Sequence, residues 1–277
     1  MAVNLASKFS KKVAERFYTD SFTEIGVNRD YDWEGVDTVS IYSIDTVPMN
    51  NYVRNGANRY GNPAELQDTV DTHIVTRDRS FSFTIDRGNK IQQMGVKMAG
   101  KALSRQLREQ LIPEVDTYRL ATMAAAAVAN GSTTGAPVPV DATNAYSKFL
   151  DAQAILNDKQ VPMGGRVAFI NSEYAKFLKL DSNFSRQTAD GSKMAHKGVI
   201  GEVDGVTVVQ APSLYFPADT PLILTHPVAT VAPDQLKDYK THDNPPGTNG
   251  YLVEGRHIYD AFVLEAKQDA IVVHQNA

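Results

Sequence analysis

Alternation of apolar and polar residues predicts two extended segments in the first third of the chain. Val36 to Val47 is predicted to be a strand, which Pro48 ends. A second strand is predicted from about Val70 to Asp86, where one face is apolar and the other carries serine and threonine. The apolar face of that second strand comprises Phe81, Phe83 and Ile85. Together the two strands indicate a hairpin with a long connection between them.

The connection between these strands, MNNYVRNGANRYGNPAELQ, has no hydrophobic period but contains the turn signals Asn-Gly and Gly-Asn-Pro. Connections of this length without secondary structure are usually functional, and an isolated two-stranded hairpin is marginally stable in water. The hairpin is therefore predicted to pack against a surface outside its own domain. Aromatic and arginine side chains are enriched at protein interfaces, and the candidates near the tip are Tyr52, Arg54, Arg59 and Tyr60. The alternative is a mobile surface loop without a partner.

From Asn89 the hydrophobic period changes to that of one helix face, which indicates a long helix. The apolar residues that recur at threes, fours and multiples of these are Met94, Met98, Leu107, Leu111, Val115 and Tyr118. Pro113 predicts a kink or a restart, and Asn130-Gly131 predicts the C-terminal cap of a helix of about ten turns. Three charged residues fall between the apolar positions and are further candidates for contacts with another chain: Arg105, Arg108 and Glu109.

After a Gly/Pro/Thr-rich linker, alternating elements predict an α/β subdomain. A helix is predicted from about Thr143 to Asn157 and a strand from Arg166 to Ile170. Ser172 is the predicted N-cap of the next helix. The residues of that helix predicted to face inward are Tyr174, Phe177 and Leu178. A strand at Pro221–Thr225 and a run of closing strands, GYLVEGRHIYDAFVLEAKQDAIVVH, complete the chain.

A glycine-rich stretch, GVIGEVDGVTVVQAPS, has the composition of a phosphate-binding loop but not its context. Such a loop leads into a helix and usually carries lysine and Ser/Thr after its last glycine. Here Gly205 is followed by the β-branched run Val206–Val209, and Glu202 and Asp204 would repel a phosphate. The stretch is therefore predicted to be a strand–turn–strand hairpin with Asp204-Gly205 as its turn.

Composition narrows the class of protein without identifying it. The 277 residues are 42% hydrophobic, so the chain can build a core, and the net charge of −4 gives no overall basic surface for nucleic acid. Near the start, a basic arm carries four basic residues and one acidic residue, Glu15; the basic ones are Lys8, Lys11, Lys12 and Arg16. Charged arms of this kind are more often solvated than bound to a partner. There is no cysteine, no apolar run of the roughly 18 residues that span a bilayer, and no signal peptide. We therefore expect a soluble cytoplasmic product with no membrane partner.

Residues that could carry catalysis or bind a metal form no recognisable constellation in the sequence. The six histidines are scattered, no catalytic motif is present, and the lack of cysteine excludes a thiol nucleophile. A site that the fold assembles from distant residues stays open as an alternative. Near the end of the chain, Glu254 and Arg256 share a strand face and are predicted to form a cross-strand charge pair rather than a metal site. No enzyme activity, cofactor or metal is expected.

The order of these elements, and several segments within them, resemble the major capsid proteins of tailed bacteriophages, which have the Hong Kong 97 capsid fold. DRSFSFTIDRGNK is similar to the segment that leaves the extended loop, and REQLIPEVDTYRLATMA is similar to the spine helix of a subgroup of these coats. GGRVAFINSEYAKFL and the glycine hairpin resemble the axial domain, and NPPGTNGYLVEGRHIYDAFVLEAKQDAIVVH resembles the closing strands of the peripheral domain. The resemblance covers nearly the whole chain.

What the resemblance implies first is an α+β fold in five parts. These are an N-terminal arm (1–35), an extended β-hairpin loop (36–88), a peripheral domain with the long spine helix (89–137), an axial α/β domain (138–227) and return strands of the peripheral domain (228–277).

The resemblance also implies a structural function. The chain would self-assemble as pentamers and hexamers into an icosahedral shell around phage double-stranded DNA, with the extended loop reaching over a neighbour. Its partners would be other copies of the chain, a separate scaffolding protein and a portal protein, while DNA would lie only in non-specific proximity. Assembly would take place in the cytoplasm of the bacterial host, and the product would be the virion capsid.

Two features depart from the founding member of this family. That coat crosslinks itself through a lysine in the extended loop, whereas this chain has no lysine between Lys12 and Lys90, so we expect a shell without covalent links. If Met1 is the true start, the N-terminus also lacks room for a large built-in scaffolding segment, which is why a separate scaffolding protein is expected.

Three alternative functions stay open at this point. An encapsulin-type nanocompartment would share the fold but package proteins. A two-domain enzyme would assemble its active site from scattered residues, and turnover by the isolated subunit would reveal it. A surface or tail protein would oligomerise without closing a shell.

Overall fold

The computed structural model describes residues 21–31, 38–44, 46–55, 57–63, 65–87, 99–181 and 199–276. The chain divides into two units, a small one at Trp33–Ile74 and a large one formed by Met1–Asp32 with Val75–Ala277. Each unit is described by itself.

The small unit contains an antiparallel strand pair, β1 (Thr38–Ile44) and β2 (Asp68–Ile74). Directly opposed residues include Tyr42 with Val70 and Ile44 with Asp68. The predicted hairpin with a long connection is therefore confirmed.

The prediction of one continuous strand from Val70 to Asp86 is wrong. The chain leaves β2 at Ile74, and a separate strand, β3 (Arg77–Asp86), pairs in a different sheet of the large unit. Between them the Thr76 amide donates to Asp260 Oδ2 at 2.7 Å, and the Thr76 hydroxyl donates to the same oxygen at 3.0 Å. The Asp260 side chain takes the place of a backbone acceptor for Thr76, which lies between the two strands and belongs to neither sheet.

One sheet of the large unit has the strand order β3–β10–β9, all antiparallel, where β9 is Asp234–Asp243 and β10 is Gly250–Tyr259. On β3 the predicted alternation is confirmed, since Ile85 is buried, Phe81 and Phe83 are half-buried, and the residues between them are exposed.

The predicted long helix packs on this sheet, although residues 88–98 lie outside the described part of the chain. It consists of α1 (Ala99–Gln106), a π-helical turn (Leu107–Leu111) and α2 (Ile112–Ala129). A small core joins helix and sheet: Leu103, Leu107, Leu111, Ile112, Val115, Tyr239, Val253 and Tyr259.

The irregularity predicted at Pro113 is present as the π turn just before the proline. Proline has no amide hydrogen, and its ring clashes with the carbonyl four residues earlier in a regular helix. Here the Ile112 amide donates to the Leu107 carbonyl, a bond that spans five residues and widens the turn just before the proline. The helix therefore continues without a break and ends at its predicted cap, Asn130, followed by Gly131 at φ +66°.

The second sheet of the large unit has the order β12–β7–β4–β6–β5, with only β4 and β6 parallel. Its strands are β4 (Val167–Ile170), β5 (Val199–Val203), β6 (Val206–Gln210), β7 (Leu222–Thr225) and β12 (Ile271–His274). Two helices, α3 (Ala145–Asp158) and α4 (Ser172–Leu180), contribute to the same core. Two short strands, β8 (Thr230–Val231) and β11 (Phe262–Val263), form a separate pair.

This arrangement confirms most elements predicted after the linker. Asp204 at φ +49° and Gly205 at φ +77° make the hairpin turn between β5 and β6, with both residues in the left-handed region that such a turn requires. The N-cap of α4 is Asn171, not Ser172, because the Asn171 side-chain oxygen accepts the Tyr174 amide hydrogen at 2.7 Å. Tyr174 and Leu178 are buried as predicted, and Phe177 is half-buried.

Strands from the end of the chain lie in both large sheets. β9 and β10 pair with β3, whereas β12 pairs with β7 in the sheet that contains β4. The five-part division expected from the sequence stays a prediction.

Candidate assembly surfaces

The predicted contact residues of the small unit come together at the tip of its hairpin connection. The rings of Tyr52 and Tyr60 pack edge to face with centroids 5.0 Å apart, and Tyr60 is 84% exposed. The Val53 amide donates to the Arg59 carbonyl at 3.0 Å, which closes the tip, and Arg54 and Arg59 are both exposed. The tip is thus an exposed aromatic pair flanked by two guanidinium groups.

The other predicted contact residues lie on the long helix of the large unit. Arg105 and Glu109 form an i,i+4 ion pair of 2.7 Å between Nε and Oε1, and both side chains are at least half exposed. Arg108 is also exposed on this side of the helix. The structure therefore places the seven predicted residues in two groups, one in each unit.

Sequence reasoning missed an exposed apolar face on the β1–β2 pair. Tyr42 and Ile44 are each 69% exposed, and Val70 and Ile74 on the facing strand are 47% and 63% exposed. The signal was present, since TVSIYSI carries apolar residues at both odd and even positions and a half-buried strand needs them at only one parity. Apolar patches of this kind mark contact sites in soluble proteins.

The outer face of the β3–β10–β9 sheet is a mosaic of exposed charges. Arg256 donates to Asp78 at 2.6 Å across β10 and β3, His242 lies 3.1 Å from Glu254 across β9 and β10, and Lys240 pairs with Asp238. The hydrogen bond from Arg256 lowers the pKa of Asp78. The prediction that Glu254 and Arg256 share a face with cross-strand charge pairing is confirmed.

A buried polar network joins residues 21–29 to the long helix, and nothing in the local sequence pattern announced it. Asp116, which is fully buried, accepts hydrogen bonds from Ser21 Oγ (2.5 Å), Thr23 Oγ1 (2.6 Å) and the Phe22 amide (3.1 Å). One turn later, Arg119 donates to Thr23 and to Glu24, each at 3.2 Å. The network therefore fixes residues 21–29 against the long helix within the large unit.

The same network continues onto β9 and β10 through Asp234. Its carboxylate accepts from Arg29 at 2.5 Å, from Lys237 at 2.9 Å and, through its other oxygen, faces His257 Nε2 at 3.1 Å. Burial raises the pKa of Asp234, but the hydrogen bond with His257 and the positive charges of Arg29 and Arg119 outweigh it, so the pKa is lowered.

This cluster contains the arrangement closest to catalytic geometry in the described residues. His257 lies between Asp234 and the Tyr239 hydroxyl, which is 3.3 Å from Nδ1. His257 is 1% exposed and Tyr239 is 4% exposed, and burial raises the pKa of Tyr239 far above its ordinary value. Because a substrate could not reach the ring, the trio acts as a structural contact.

The described residues show neither a metal-binding cluster nor a membrane-spanning helix. They contain no group of three or more His, Asp or Glu side chains placed to hold a metal ion. Across the same part of the chain, every helix is too short or too polar to cross a bilayer.

Comparison with known protein families shows which family the chain belongs to. The family model described as "Phage capsid protein" matches residues 67–273, which is most of the chain. The protein belongs to the phage capsid protein family. No curated protein matches the chain.

Comparison with solved structures shows the fold of the chain. A structure titled "Mycobacterium phage Che8" is similar with a TM-score of 0.71 at 22% identity, covering 92% of this chain and 90% of the other. The mature capsid of bacteriophage PhiM1 is similar with a TM-score of 0.65 at 14% identity, covering 87% and 82%. A virus-like particle from Pyrococcus furiosus is similar with a TM-score of 0.59 at 11% identity, covering 99% and 100%. The capsid protein has the α+β Hong Kong 97-like fold expected from its sequence.

Membership of the phage capsid family identifies the chain as a structural subunit of the virion capsid. The exposed faces of the hairpin and of the long helix then become candidates for contacts between capsid subunits.

Proposed function

We propose that this chain is the major capsid subunit that assembles as pentamers and hexamers into an icosahedral shell enclosing phage double-stranded DNA. The observation that carries the proposal is the phage capsid family match, which runs from the hairpin through to the last strand, Ile271–His274. Fold and family together make assembly with other copies the main activity of the protein.

Surface chemistry supports an assembly role. The large unit has its own buried core, whereas the hairpin of the small unit exposes Tyr42, Ile44, Val70 and Ile74. Exposing these side chains to water is unfavourable, and burying them against a neighbour would contribute about 25 cal/mol for each Å² of apolar surface. The aromatic and arginine side chains at the hairpin tip are of the types that dominate interface energetics.

The proposal includes partners beyond other copies of the chain. A separate scaffolding protein would guide curvature, and a portal protein would occupy one vertex. DNA would lie against the shell without specific contacts, because the net charge of −4 provides no general phosphate-binding surface. Assembly would take place in the cytoplasm of the bacterial host.

Electron microscopy of the purified protein tests the proposal directly. The chain should be expressed alone and together with the genes that neighbour it, so that any scaffolding protein is present. We expect closed shells with fivefold and sixfold capsomers. A uniform small oligomer under every condition, scaffold included, would contradict the proposal.

A protein-filled compartment is the second candidate, because the fold that the chain shares with a virus-like particle from Pyrococcus furiosus does not by itself determine what a shell encloses. The contents of the shells distinguish the two functions. Particles from infected cells that contain genome-length DNA support the virion capsid, and particles that contain a single enzyme support the compartment.

A further inference from the structure

The chain passes between its two units twice, and a residue close to each passage is bonded to an aspartate of the large unit. The small unit is Trp33–Ile74, so Arg29 lies four residues before its start and Thr76 two residues after its end. Arg29 donates to Asp234 Oδ2 at 2.5 Å, and Thr76 donates twice to Asp260 Oδ2. Both connections of the small unit are therefore attached to the large unit by the same kind of acceptor.

The two aspartates are neighbours at one end of the β9–β10 pair. Asp234 lies opposite Tyr259 in the register, and the Asp260 amide donates to the Pro233 carbonyl at 3.2 Å. The Asp234 side chain and the Asp260 residue are each only 6% exposed. Because their backbones are bonded to each other, one strand end holds both connections.

A β-bulge turns Asp234 toward the interior. Ile258 and Tyr259 are consecutive in β10, but they lie opposite Leu236 and Asp234, so β9 carries one extra residue between them. Strict alternation would place Asp234 on the outer face with the exposed charges of β9, and the extra residue reverses that alternation. Asp234 instead faces His257, whose Nε2 lies 3.1 Å from Oδ1. Bulges of this kind re-aim side chains next to functional sites.

Asp260 holds the second connection while both of its oxygens are engaged. Oδ2 accepts the Thr76 amide at 2.7 Å and the Thr76 hydroxyl at 3.0 Å. Oδ1 accepts the Tyr118 hydroxyl at 2.6 Å and the Ala261 amide at 2.8 Å, which links the connection to the long helix. An asparagine side chain has a single acceptor oxygen, so in this position its NH₂ group would face two donors.

Arg29 holds the first connection through its planar guanidinium group. Nε and Nη2 donate to the two oxygens of Glu24 at 2.9 and 2.7 Å, and Nη1 donates to Asp234. Glu24 also accepts from Arg119 on the long helix at 3.2 Å. A lysine ammonium keeps the charge but cannot reproduce a fork on one carboxylate together with a bond to a second.

We propose that Asp234 and Asp260 form a hinge clamp, a pair of adjacent carboxylates that holds both connections of the small unit and limits how far that unit can turn. A unit joined through one held and one free connection can swing about the held one, whereas two held connections restrict each other. A surface kept in one orientation loses less entropy when it binds. The hinge clamp would therefore prepare the exposed hairpin for assembly, and this consequence alone rests on the proposed function.

A distance measurement between two spin labels in the unassembled subunit tests the hinge clamp. The chain has no cysteine, so Thr72→Cys on β2 and Ser147→Cys on α3 provide defined labelling sites, and both positions are exposed. Double electron–electron resonance then reports the spread of distances between the two units. We expect Asp260→Asn and Arg29→Lys each to widen this spread at least roughly twofold, because each frees one connection. Combining the two substitutions should widen it further.

The matched control is Asp181→Asn, which changes another buried carboxylate of the large unit, one that accepts the Tyr146 amide at 3.3 Å. It should lower the unfolding temperature and leave the spread of distances unchanged. Thermal unfolding of every variant shows whether the subunit is folded in the measurement. If Asp260→Asn does not fold, Thr76→Val removes one hydrogen bond and leaves the carboxylate in place, and it should produce a smaller widening.

Each result has a defined meaning. A wild-type spread as wide as that of the variants would show that the connections are not restrained, and would overturn the inference. Widening by a substitution at only one connection would overturn the pairing of the two carboxylates. Equal widening by the control would show that the subunit loosens in general, which also contradicts a hinge clamp. The measurement needs no shells, so failure of the proposed function would leave these results unchanged.

Discussion

Single buried charges hold residues 21–29 to the body of the capsid subunit. Asp116 and Asp234 lie at the two ends of this network. Each has at least three hydrogen-bonding or positively charged groups next to its carboxylate. A buried carboxylate is stable only while such partners are present, because removing the charge from water is costly. Substitution at these two positions should therefore affect both the stability of the subunit and the placement of residues 21–29 within the large unit.

Asp116→Ala should destabilise the unassembled subunit by about 3 kcal/mol, because Ser21, Thr23 and the Phe22 amide lose a shared acceptor in the interior. Urea unfolding measures the loss, and trypsin should cleave faster after Arg29. Asp158→Ala is the control, since Asp158 is exposed at the end of α3 and should change stability by less than about 0.5 kcal/mol. Equal stability of the two variants would contradict a structural role for Asp116.

Because of Lys237, the free energy of unfolding should depend on pH. Burial lowers the pKa of its ammonium group to about 7, although Asp234 lies 2.9 Å away. A lysine in the unfolded chain has a pKa of about 10.4, so between these two values the unfolded state binds more protons than the folded state. The free energy of unfolding should therefore rise as the pH goes from about 7 to about 10, and this gain should be lost as the pH falls back through 7.

Lys237→Met isolates that contribution. The variant keeps the buried volume but removes the titrating group, so its stability should rise less between pH 7 and 10, by up to a few kcal/mol. Denaturant unfolding at several pH values measures the difference. Parallel curves for the variant and the wild type would contradict the expected pKa of Lys237.

At the scale of elements, most of the features predicted from the sequence depend on residues that lie close together in the chain. The alternation on β3, the cap at Asn130 and the turn at Asp204-Gly205 all follow from residues within a few positions of each other. The break between β2 and β3 does not, because it depends on Asp260, which is 184 residues away from Thr76 in the chain. The same local pattern of alternation fits a continuous strand and an interrupted one.

Gly255 illustrates how one element constrains its neighbours. It lies between Phe81 on β3 and Tyr239 on β9, whose rings stack with centroids 6.1 Å apart. A Cβ atom at this position would lie 2.4 Å from Phe81 Cζ and 2.8 Å from Tyr239 Cδ1. The two rings therefore occupy the space that a side chain would need.

Gly255→Ala should lower the free energy of unfolding by about 2 kcal/mol, because the rings must move apart and lose contact with the long helix. Thermal unfolding measures the change, and adding Phe81→Leu should restore part of it. Gly164→Ala is the matched control, since its Cβ would have nothing within 4 Å. A control that is equally destabilised would show that the cost arises from the backbone and not from the rings.

At the scale of the whole molecule, we expect the small unit to matter more for assembly than for the stability of the subunit. Arg54→Glu with Arg59→Glu should weaken assembly while the unassembled subunit keeps its unfolding temperature, because both side chains are exposed. Light scattering follows assembly, and calorimetry follows the subunit. A lower unfolding temperature would mean that these residues belong to the core of the subunit instead.

The mature particle should come apart completely in hot detergent. The founding coat of this fold uses a lysine of the extended loop for covalent crosslinks, and this chain has no lysine between Lys12 and Lys90. Denaturing gel electrophoresis of purified virions should show the coat as a single band of monomer size. A ladder of higher bands that survives boiling would reveal covalent links formed elsewhere.

The sequence by itself determined the order of elements, the long helix with its irregularity near Pro113 and the hairpin turns, because period, caps and turn residues act over a few positions. The capsid-like arrangement followed from the resemblance of several segments to a known family and not from these local signals. Only the tertiary structure decided which strands share a sheet, that β12 joins β7, and that Asp116 and Asp234 meet residues 21–29 inside the large unit. These contacts join residues far apart in the chain, and charged residues follow no period that would announce a buried pairing. The exposed face of the β1–β2 pair belongs partly with them, since apolar residues on both sides of TVSIYSI indicate that some stay exposed but do not indicate which side does.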